Sequence, residues 1–398
     1  NSCFSNACLT NKQRIVFNTC AVTAEAERQA RQAIRKARRN NPKAEIIVTG
    51  CAAQLAPKKF ETMPEVDRVL GNEEKLIPHI WNEDAGQQTI VSDIMSVNEV
   101  APQLVAGFEN RVRAFVQVQQ GCDHRCTFCI IPFARGNSRS IPIGRLVKQT
   151  QTLIENGYKE IVLTGVDLTS YGSDLPGQPN LGSMVRRLLA NVPDLRRLRL
   201  SSVDPVEIDP DLLKLIANEP RLMPHLHLSI QAGDDMVLKR MKRRHLRKDV
   251  IKIAKQLRDI RPDIVLGADL IAGFPTETEA MFKQSLDLIT EVQLVHLHVF
   301  PYSIREGTPA ARMPQVPMKI RKERAAMLRE AGQRMLEKYL KGRIGLSERV
   351  LIEKDSIGRT EHFIPMSIKK PANLGQIIDV TVKSTTALKL CDSIEGSH

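Results

Sequence analysis

Strand-like and helix-like segments alternate along the middle of this 398-residue chain. β-Forming runs recur six times, and helical patterns fill the gaps between them; the runs are 113–119, 160–164, 198–201, 225–230, 264–270 and 295–300. Strands joined through helices run parallel, because the crossover returns each strand in the same direction. The alternation predicts an α/β fold centred on a partial (βα)6 barrel, open rather than closed with eight strands.

The ends of the chain show different patterns. Residues 14–18 and 45–49 are predicted parallel strands, joined by a helix that Thr23 caps and that ends near Asn40, so an open α/β domain is expected first. Beyond Pro317 a long basic helix is predicted to about Lys341, followed by short β-rich runs typical of a small β-barrel. The predicted domains are 1–105, 106–340 and 341–398.

The charge of the chain favours a polyanionic partner. The net charge is +13 and the pI is about 9.4, an excess that is usual for proteins that bind nucleic acid. Basic residues concentrate at 28–39, 239–248 and 319–329, although each run alone is more often a solvated helix face. No apolar stretch of about 18 residues is present, so no membrane association is expected.

Cysteine usage indicates metal or redox chemistry. Eight cysteines occur without a recognisable secretory signal, which predicts a reducing cytoplasm. The chain starts at Asn1 rather than Met, so a processed or incomplete chain is expected.

Three cysteines follow the first barrel strand, at Cys122, Cys126 and Cys129. Their C-x3-C-x2-C spacing allows one loop to hold three irons of a [4Fe–4S] cluster, which leaves the fourth iron without a protein ligand. S-adenosylmethionine (SAM) is the ligand for which this open iron is known. The alternatives are a zinc site, which more often has two separated C-x2-C pairs, a disulfide loop, or chance spacing.

Two more cysteines, Cys20 and Cys51, each come just after one of the predicted amino-terminal strands. The carboxyl ends of parallel strands share one edge of a sheet, where open α/β folds bind ligands. Cys20 and Cys51 are therefore predicted metal ligands. The alternative is a pair of buried free thiols.

Six segments in order resemble the motifs of one enzyme family: 18–28, 48–54, 121–131, 163–172, 267–277 and 299–310. The chain resembles the radical-SAM methylthiotransferases, most closely the branch that modifies N6-threonylcarbamoyladenosine in tRNA. The resemblance covers nearly the whole chain, and the tail is similar to a TRAM domain, an RNA-binding β-barrel.

The resemblance implies SAM and two [4Fe–4S] clusters as cofactors. Cys122, Cys126 and Cys129 would hold the cluster that cleaves SAM, and Cys20 and Cys51 would be ligands of an auxiliary cluster. The family places a third auxiliary ligand in an upstream Gly-Cys-x-x-Asn turn. This sequence has no such turn, so that ligand is either missing or replaced by Cys3.

Four further residues are expected to bind SAM: Asp167, Gly273, Pro275 and Gln231. The alternative role of Asp167 is to cap a helix, and the alternative role of Gly273 and Pro275 is to form a simple turn. Gln231 and Arg305 are weaker candidates, as polar residues of the pocket. No catalytic residue is predicted beyond the cluster ligands.

The implied function is methylthiolation of N6-threonylcarbamoyladenosine next to the anticodon. The expected partners are the anticodon stem-loop of tRNA, an electron donor protein and a sulfur donor. The protein is expected to be a monomer in the cytoplasm. The alternatives are methylthiolation of isopentenyladenosine in tRNA or of a ribosomal protein side chain, and a non-catalytic RNA-binding protein that carries a cluster.

Overall fold

The computed structural model describes residues 13–81, 88–97, 111–369, 371–386 and 388–393. The chain divides into two compact units. The first unit draws on residues 1–103, 120–137 and 303–312, and the second on residues 104–119, 138–302 and 313–398. The domain boundaries expected from the sequence remain a prediction.

The first unit contains a four-stranded parallel sheet in the order β1-β2-β3-β4. Its predicted strand–helix–strand start is confirmed. Three 3₁₀ turns follow, at Glu74–Leu76, Pro78–Trp81 and Ile94–Ser96. The elements are β1 (Arg14–Thr19), α1 (Ala24–Asn40), β2 (Glu45–Gly50), α2 (Cys51–Leu55), α3 (Pro57–Glu61), β3 (Arg68–Leu70) and β4 (Thr89–Ile90).

Helix α1 begins where the sequence predicts. The Thr23 hydroxyl accepts a hydrogen bond from the Ala26 amide at 3.1 Å, which satisfies one of the unpaired donors of the first turn. Glu25 and Glu27 add negative charge near the positive end of the helix. Ile34 is fully buried and anchors the helix against the sheet core.

The middle of the chain alternates strands with helices, as predicted. A 3₁₀ turn lies at Leu168–Ser170 and another at Pro309–Arg312. The elements are β5 (Arg113–Gln117), β6 (Gln119–Gln120), α4 (Ile131–Arg135), β7 (Arg139–Ser140), α5 (Ile143–Glu155), β8 (Glu160–Thr164), α6 (Leu181–Asn191), β9 (Arg197–Leu200), α7 (Pro210–Asn218), β10 (His225–Gln231), α8 (Asp235–Arg240), α9 (Arg247–Ile260), β11 (Val265–Ala272), α10 (Glu279–Glu291), β12 (Leu294–Pro301) and α11 (Met318–Lys341). Among the described residues no helix has the length and apolarity to cross a membrane.

Six parallel strands of the second unit follow one another as an open arc. Strands β5, β8 and β9 pair in that order, and so do β10, β11 and β12. Isolated parallel bridges, Val203 to Leu228 and Leu198 to Leu222, join the two halves. This arrangement is the predicted partial barrel.

The end of the second unit is a six-stranded, mainly antiparallel sheet in the order β16-β13-β14-β15-β18-β17. Its core contains Val350, Ile352, Ile364 and Met366, packed with Leu340 at the end of α11. The predicted β-rich tail is therefore present. The strands are β13 (Ser347–Lys354), β14 (Ile357–Thr360), β15 (Pro365–Ser367), β16 (Ile377–Thr381), β17 (Ser384–Thr385) and β18 (Leu390–Cys391).

Glu160 is the centre of a buried ion cluster at the amino-terminal ends of the barrel strands. Its carboxylate lies 3.0 Å from Arg199 Nε, 3.8 Å from an Arg113 nitrogen and 3.9 Å from an Arg197 nitrogen. Burial alone raises the pKa of the Glu160 carboxyl, but the arginines outweigh it and lower the pKa below its usual value. In the folded protein the Glu160 carboxyl is therefore ionised at neutral pH.

The carboxy-terminal sheet packs against the same end of the barrel. Arg197 donates to the Arg349 carbonyl at 2.8 Å, and Arg199 donates to the Glu361 carbonyl at 3.0 Å. The Phe363 ring lies 4.9 Å from the Arg199 guanidinium and stacks on His225 at 5.5 Å. This sheet thus closes the end of the barrel opposite to the carboxyl ends of the strands, where α/β barrels place their chemistry.

We predict that Glu160→Gln lowers the free energy of unfolding of the second unit by about 3–5 kcal/mol, because removing one partner leaves buried arginines unpaired. Urea denaturation followed by circular dichroism measures this change. The control is Glu330→Gln, which removes an exposed partner of Arg334 and should change stability by less than about 0.5 kcal/mol.

The same ion cluster gives the stability a defined pH dependence. Since the pKa of Glu160 is lower in the folded than in the unfolded protein, its stabilisation is complete above the unfolded value and is lost as the pH falls through the folded value. Glu160→Gln should therefore flatten the acid side of the stability curve. An unchanged curve would show that other carboxylates control acid unfolding.

Candidate functional site

The loop that carries the three clustered cysteines is closed at its base by backbone contacts. Gly121 has a φ of +74°, and a Cβ there would lie 1.8 Å from the Asn137 carbonyl oxygen, so only glycine fits. The Cys122 amide donates to the Gly136 carbonyl at 3.1 Å. The two ends of the loop are thereby held together.

The three cysteines of this loop form no disulfide and are partly exposed: Cys122, Cys126 and Cys129. The Cys129 amide donates to the Cys126 carbonyl at 3.1 Å, which forms a tight turn between the last two. Arg125 donates to the Cys122 carbonyl at 2.8 Å and to Asn137 Oδ1 at 3.1 Å. Three cysteine sulfurs outside any disulfide on one loop fit the soft ligands that iron in a cluster requires.

Cys20 and Cys51 occupy matched positions at the carboxyl ends of two paired strands. Thr19 on β1 pairs with Gly50 on β2, and each cysteine is the next residue. Gly50 has a φ of +99°, and a Cβ there would lie 2.3 Å from the Thr19 carbonyl oxygen. The Thr19 hydroxyl donates to the Thr49 carbonyl at 2.7 Å and accepts a hydrogen bond from the Ala53 amide in α2 at 3.2 Å.

The two thiols differ in exposure, since Cys20 is exposed and Cys51 is buried. Cys20 Sγ accepts from the Val22 amide at 3.4 Å. Cys3, the predicted substitute for a missing third ligand, lies outside the described residues. The pair therefore fits the predicted position at one sheet edge, while its role as cluster ligands remains a prediction.

A polar group that the sequence analysis missed surrounds Cys51. Arg135 Nε lies 3.1 Å from Cys51 Sγ, and Asn72 Nδ2 lies 3.9 Å from it. Lys75 Nζ donates to Asn72 Oδ1 at 2.8 Å, and burial lowers the pKa of Lys75 to about 8, helped by the nearby Arg135 guanidinium. Sequence patterns could not find this group, because its members come from separate segments.

Arg305, a predicted pocket residue, holds the turn beside Cys20. Its guanidinium donates to the Ala21 carbonyl and forms an ion pair with Glu27 on α1. Its side chain is almost fully buried. Arg305 therefore orders the backbone beside Cys20 within the first unit.

The four other predicted residues follow strands of the second unit. Asp167 comes after β8, Gln231 ends β10, and Gly273 and Pro275 come after β11. The Asp167 carboxylate accepts from the Ser170 hydroxyl at 2.7 Å, so it orders the turn that follows the strand.

The turn after β11 is fixed by an ion pair that the sequence analysis did not single out. Gly273 has a φ of +69°, and its amide donates to a Glu277 carboxylate oxygen at 3.0 Å. Burial raises the pKa of Glu277, although Arg324 lies 2.8 Å away. A Cβ on Gly273 would lie 2.6 Å from Arg321 Cγ, so glycine is required there.

Two histidines share one carboxylate in the partial barrel of the second unit. His227 Nε2 lies 2.9 Å and His298 Nδ1 lies 3.2 Å from Asp269 Oδ1. The hydrogen bond that the His298 imidazole donates to the Asp269 carboxylate raises the pKa of His298. Burial alone would raise the pKa of Asp269, but the two imidazoles lower it far below its usual range. Each histidine nitrogen that faces the acid is thus already paired with it.

Most arginines of the basic run 239–248 are used in folding. Arg243 pairs with Asp204 at 2.8 Å, Arg244 pairs with Glu207, and Arg247 pairs with Glu291. Three lysines of this run are exposed, namely Lys239, Lys242 and Lys248, and Arg244 is exposed as well although it is paired. On α1, ion pairs likewise involve four arginines: Arg28, Arg31, Arg35 and Arg38.

Family models match both cysteine-bearing regions. Residues 116–289 match the Radical SAM superfamily, and residues 8–71 match a family described as Uncharacterized protein family UPF0004. The first match contains the C-x3-C-x2-C loop, and the second contains Cys20 and Cys51.

Whole-length relatives carry two related names. A threonylcarbamoyladenosine tRNA methylthiotransferase MtaB of Rickettsia prowazekii is 58% identical over 91% of this chain and 86% of its own length. An Aquifex aeolicus protein of the same name is 36% identical over 92% of this chain and 90% of its own. A tRNA-2-methylthio-N(6)-dimethylallyladenosine synthase of Rickettsia rickettsii is 32% identical over 96% and 90%.

Among solved structures, the radical SAM methyltransferase TsrM of Kitasatospora setae is similar in fold. Its TM-score is 0.57 at 14% identity, and the match covers 75% of this chain and 65% of that one. These comparisons confirm the resemblance drawn from the motifs. The chain belongs to the family of threonylcarbamoyladenosine tRNA methylthiotransferases within the radical SAM superfamily.

Proposed function

We propose that this chain methylthiolates N6-threonylcarbamoyladenosine next to the anticodon of tRNA, giving 2-methylthio-N6-threonylcarbamoyladenosine. The observation that carries the proposal is the 58% identity to the Rickettsia prowazekii relative over 91% of the chain. Identity to the dimethylallyladenosine synthases is only 32%, which favours the threonylcarbamoyl substrate over the isopentenyl one.

We propose Cys122, Cys126 and Cys129 as ligands of the cluster that serves SAM. When bound, this cluster would supply the electron that cleaves SAM. The hydrogen bond from the Cys122 amide to the Gly136 carbonyl closes the base of the loop through the backbone, so the loop carries the three thiols on one turn of chain.

We propose Cys20 and Cys51 as ligands of the auxiliary cluster. Their matched register and the ordering of the Cys20 turn by Arg305 support this assignment. The exposure of Cys20 leaves one side of the pair accessible to an incoming sulfur donor.

For SAM itself we propose contacts with Asp167, Gln231, Gly273 and Pro275. Each lies at or just beyond the carboxyl end of a parallel strand, the edge at which α/β barrels bind ligands. The Glu277 carboxylate accepts from the Gly273 amide and so fixes the turn that contains Gly273 and Pro275.

The tail and the basic helices at 28–39 and 239–248 are proposed to form the surface that binds the anticodon stem-loop. We assign the carboxy-terminal sheet to the TRAM type, on its β-rich architecture and the resemblance of its sequence. The chemistry also requires an electron donor protein and a sulfur donor. We propose a cytoplasmic location, since tRNA and reduced thiols are both found there.

The first test of the function replaces Cys122, Cys126 or Cys129 with Ala. After anaerobic reconstitution, each variant should form no more 5′-deoxyadenosine than protein without a cluster, because each thiolate holds one iron. Chromatography measures this product. Nucleoside mass spectrometry of tRNA, from a host that lacks its own enzyme, should detect the methylthio product with the wild-type chain alone.

The control is Cys391→Ala, which removes a buried thiol of the carboxy-terminal sheet and should preserve both products. Normal 5′-deoxyadenosine in all three loop variants would overturn the ligand assignment. A methylthiolated isopentenyladenosine made by the wild-type chain would overturn the substrate assignment.

A second test separates the two clusters. Cys20→Ala should retain SAM cleavage but lose the methylthio product. In protein that lacks Cys122, Cys126 and Cys129, the additional removal of Cys20 and Cys51 should reduce bound iron to near zero, as measured by iron analysis. Iron that remains would identify Cys20 and Cys51 as core thiols.

A third test concerns RNA. Lys354, Lys369 and Lys383 are exposed on the carboxy-terminal sheet, and changing all three to Ala should weaken tRNA binding. If each contacts a phosphate, the slope of log affinity against log salt should fall by about two to three. Filter binding across a salt series measures both quantities. Point substitutions are used because the tail closes the base of the barrel, so that deleting the tail would also expose the barrel core.

The matched control changes three exposed lysines outside the predicted RNA surface to Ala: Lys283, Lys319 and Lys322. It removes the same charge and should leave the slope nearly unchanged. Equal slopes for the two triple variants would show that the tail does not contact phosphates.

A further inference from the structure

Arg135 makes an unusual contact with the buried thiol of Cys51. Its Nε lies 3.1 Å from Cys51 Sγ, within hydrogen-bond distance for sulfur. Arg135 is the last residue of α4, the helix that begins two residues after Cys129. Both residues belong to the first unit.

The surrounding contacts hold α4 in place. Asn72, which is fully buried, donates to the Ala134 carbonyl at 2.8 Å and also lies 3.9 Å from Cys51 Sγ. Lys75 donates to the Asn72 carbonyl oxygen at 2.8 Å, and this orients the amide so that its nitrogen faces the sulfur side. Ala134 is itself buried in the hydrophobic core that contains Cys51. The position of the guanidinium is therefore determined by packing and not by a flexible side chain alone.

The chemistry of the acceptor makes this contact informative. A neutral thiol is a weak acceptor, whereas a thiolate accepts charge-assisted hydrogen bonds from a guanidinium. Cysteine that binds a cluster is a thiolate. An arginine beside a buried sulfur thus suits a metal-bound thiolate better than an inert core thiol.

A donor to a cluster thiolate also affects electron transfer. Reduction adds negative charge to the cluster, and a nearby cation stabilises the more negative state. Hydrogen bonds to the sulfurs are among the features that determine cluster reduction potentials. Within a buried environment this effect is weakly screened.

We propose that Arg135 is a positioning residue for the auxiliary cluster, which donates to the Cys51 thiolate and raises the reduction potential of that cluster. The proposal rests on the proposed function, in that Cys51 must be a ligand. It adds a direct link from the SAM-cluster loop to the auxiliary site, since α4 carries Arg135 and follows Cys129.

The test uses the full chain with the three loop cysteines replaced by Ala, so that only the auxiliary cluster can form. Arg135→Gln and Arg135→Lys are compared with this parent in a redox titration followed by electron paramagnetic resonance. Arg135→Gln should shift the midpoint potential to more negative values, and Arg135→Lys should recover part of the shift because it keeps the charge. Arg125→Gln is the matched control. This variant removes a guanidinium of the cysteine loop that contacts the Cys122 carbonyl and Asn137, and it should leave the midpoint potential unchanged.

The outcomes separate this proposal from the one on which it rests. A parent protein without iron would overturn the ligand assignment of Cys20 and Cys51, and the proposal with it. A wild-type midpoint in Arg135→Gln at full iron content, or an equal shift in Arg125→Gln, would overturn the role of Arg135 alone. If Arg135→Gln loses its iron, the Arg135→Lys variant decides between the two roles. A midpoint potential below that of the parent in Arg135→Lys supports the proposal. Loss of iron in Arg135→Lys as well would show that Arg135 has a purely structural role.

Discussion

The buried carboxylate of Glu160 is the interaction on which the second unit depends. Three arginines from two strands, β5 and β9, surround it at 3.0 to 3.9 Å, and a charge buried this deeply is tolerated only when it is paired. Two of them, Arg197 and Arg199, also donate to carbonyls of the carboxy-terminal sheet. The tail is therefore an integral cover for the barrel rather than a module on a free linker, and the opposite end of the strands is left for ligands.

The positive charge of the chain serves two purposes. The excess of +13 pointed to nucleic acid, yet the structure uses many arginines in ion pairs, such as Arg243 with Asp204 and Arg324 with Glu277. Arginine suits this role because its planar fork bonds to carboxylates and carbonyls together. Exposed lysines such as Lys354, Lys369 and Lys383 are proposed to contact phosphates. Net charge therefore identified a plausible class of partner, but it could not show which cations face solvent.

The sequence predicted local structure well where pattern and chemistry agree. The six barrel strands, the Thr23 cap and the matched positions of Cys20 and Cys51 all follow from periodicity, capping and parallel pairing. The polar group around Cys51 could not be predicted, because Asn72 and Arg135 meet only through packing. The contacts of Arg305 could not be predicted for the same reason. Its partner Glu27 lies far away in sequence, and a motif does not show which side chains it contacts.

Helix α4 connects the loop cysteines to Cys51 through only five residues. At 1.5 Å per residue it spans about 7.5 Å, and each residue turns the helix by about 100°. One inserted or deleted residue between Cys129 and Arg135 would rotate the guanidinium away from the sulfur. The contact between Arg135 and Cys51 therefore depends on the length of this segment as much as on the identity of the residues at its ends.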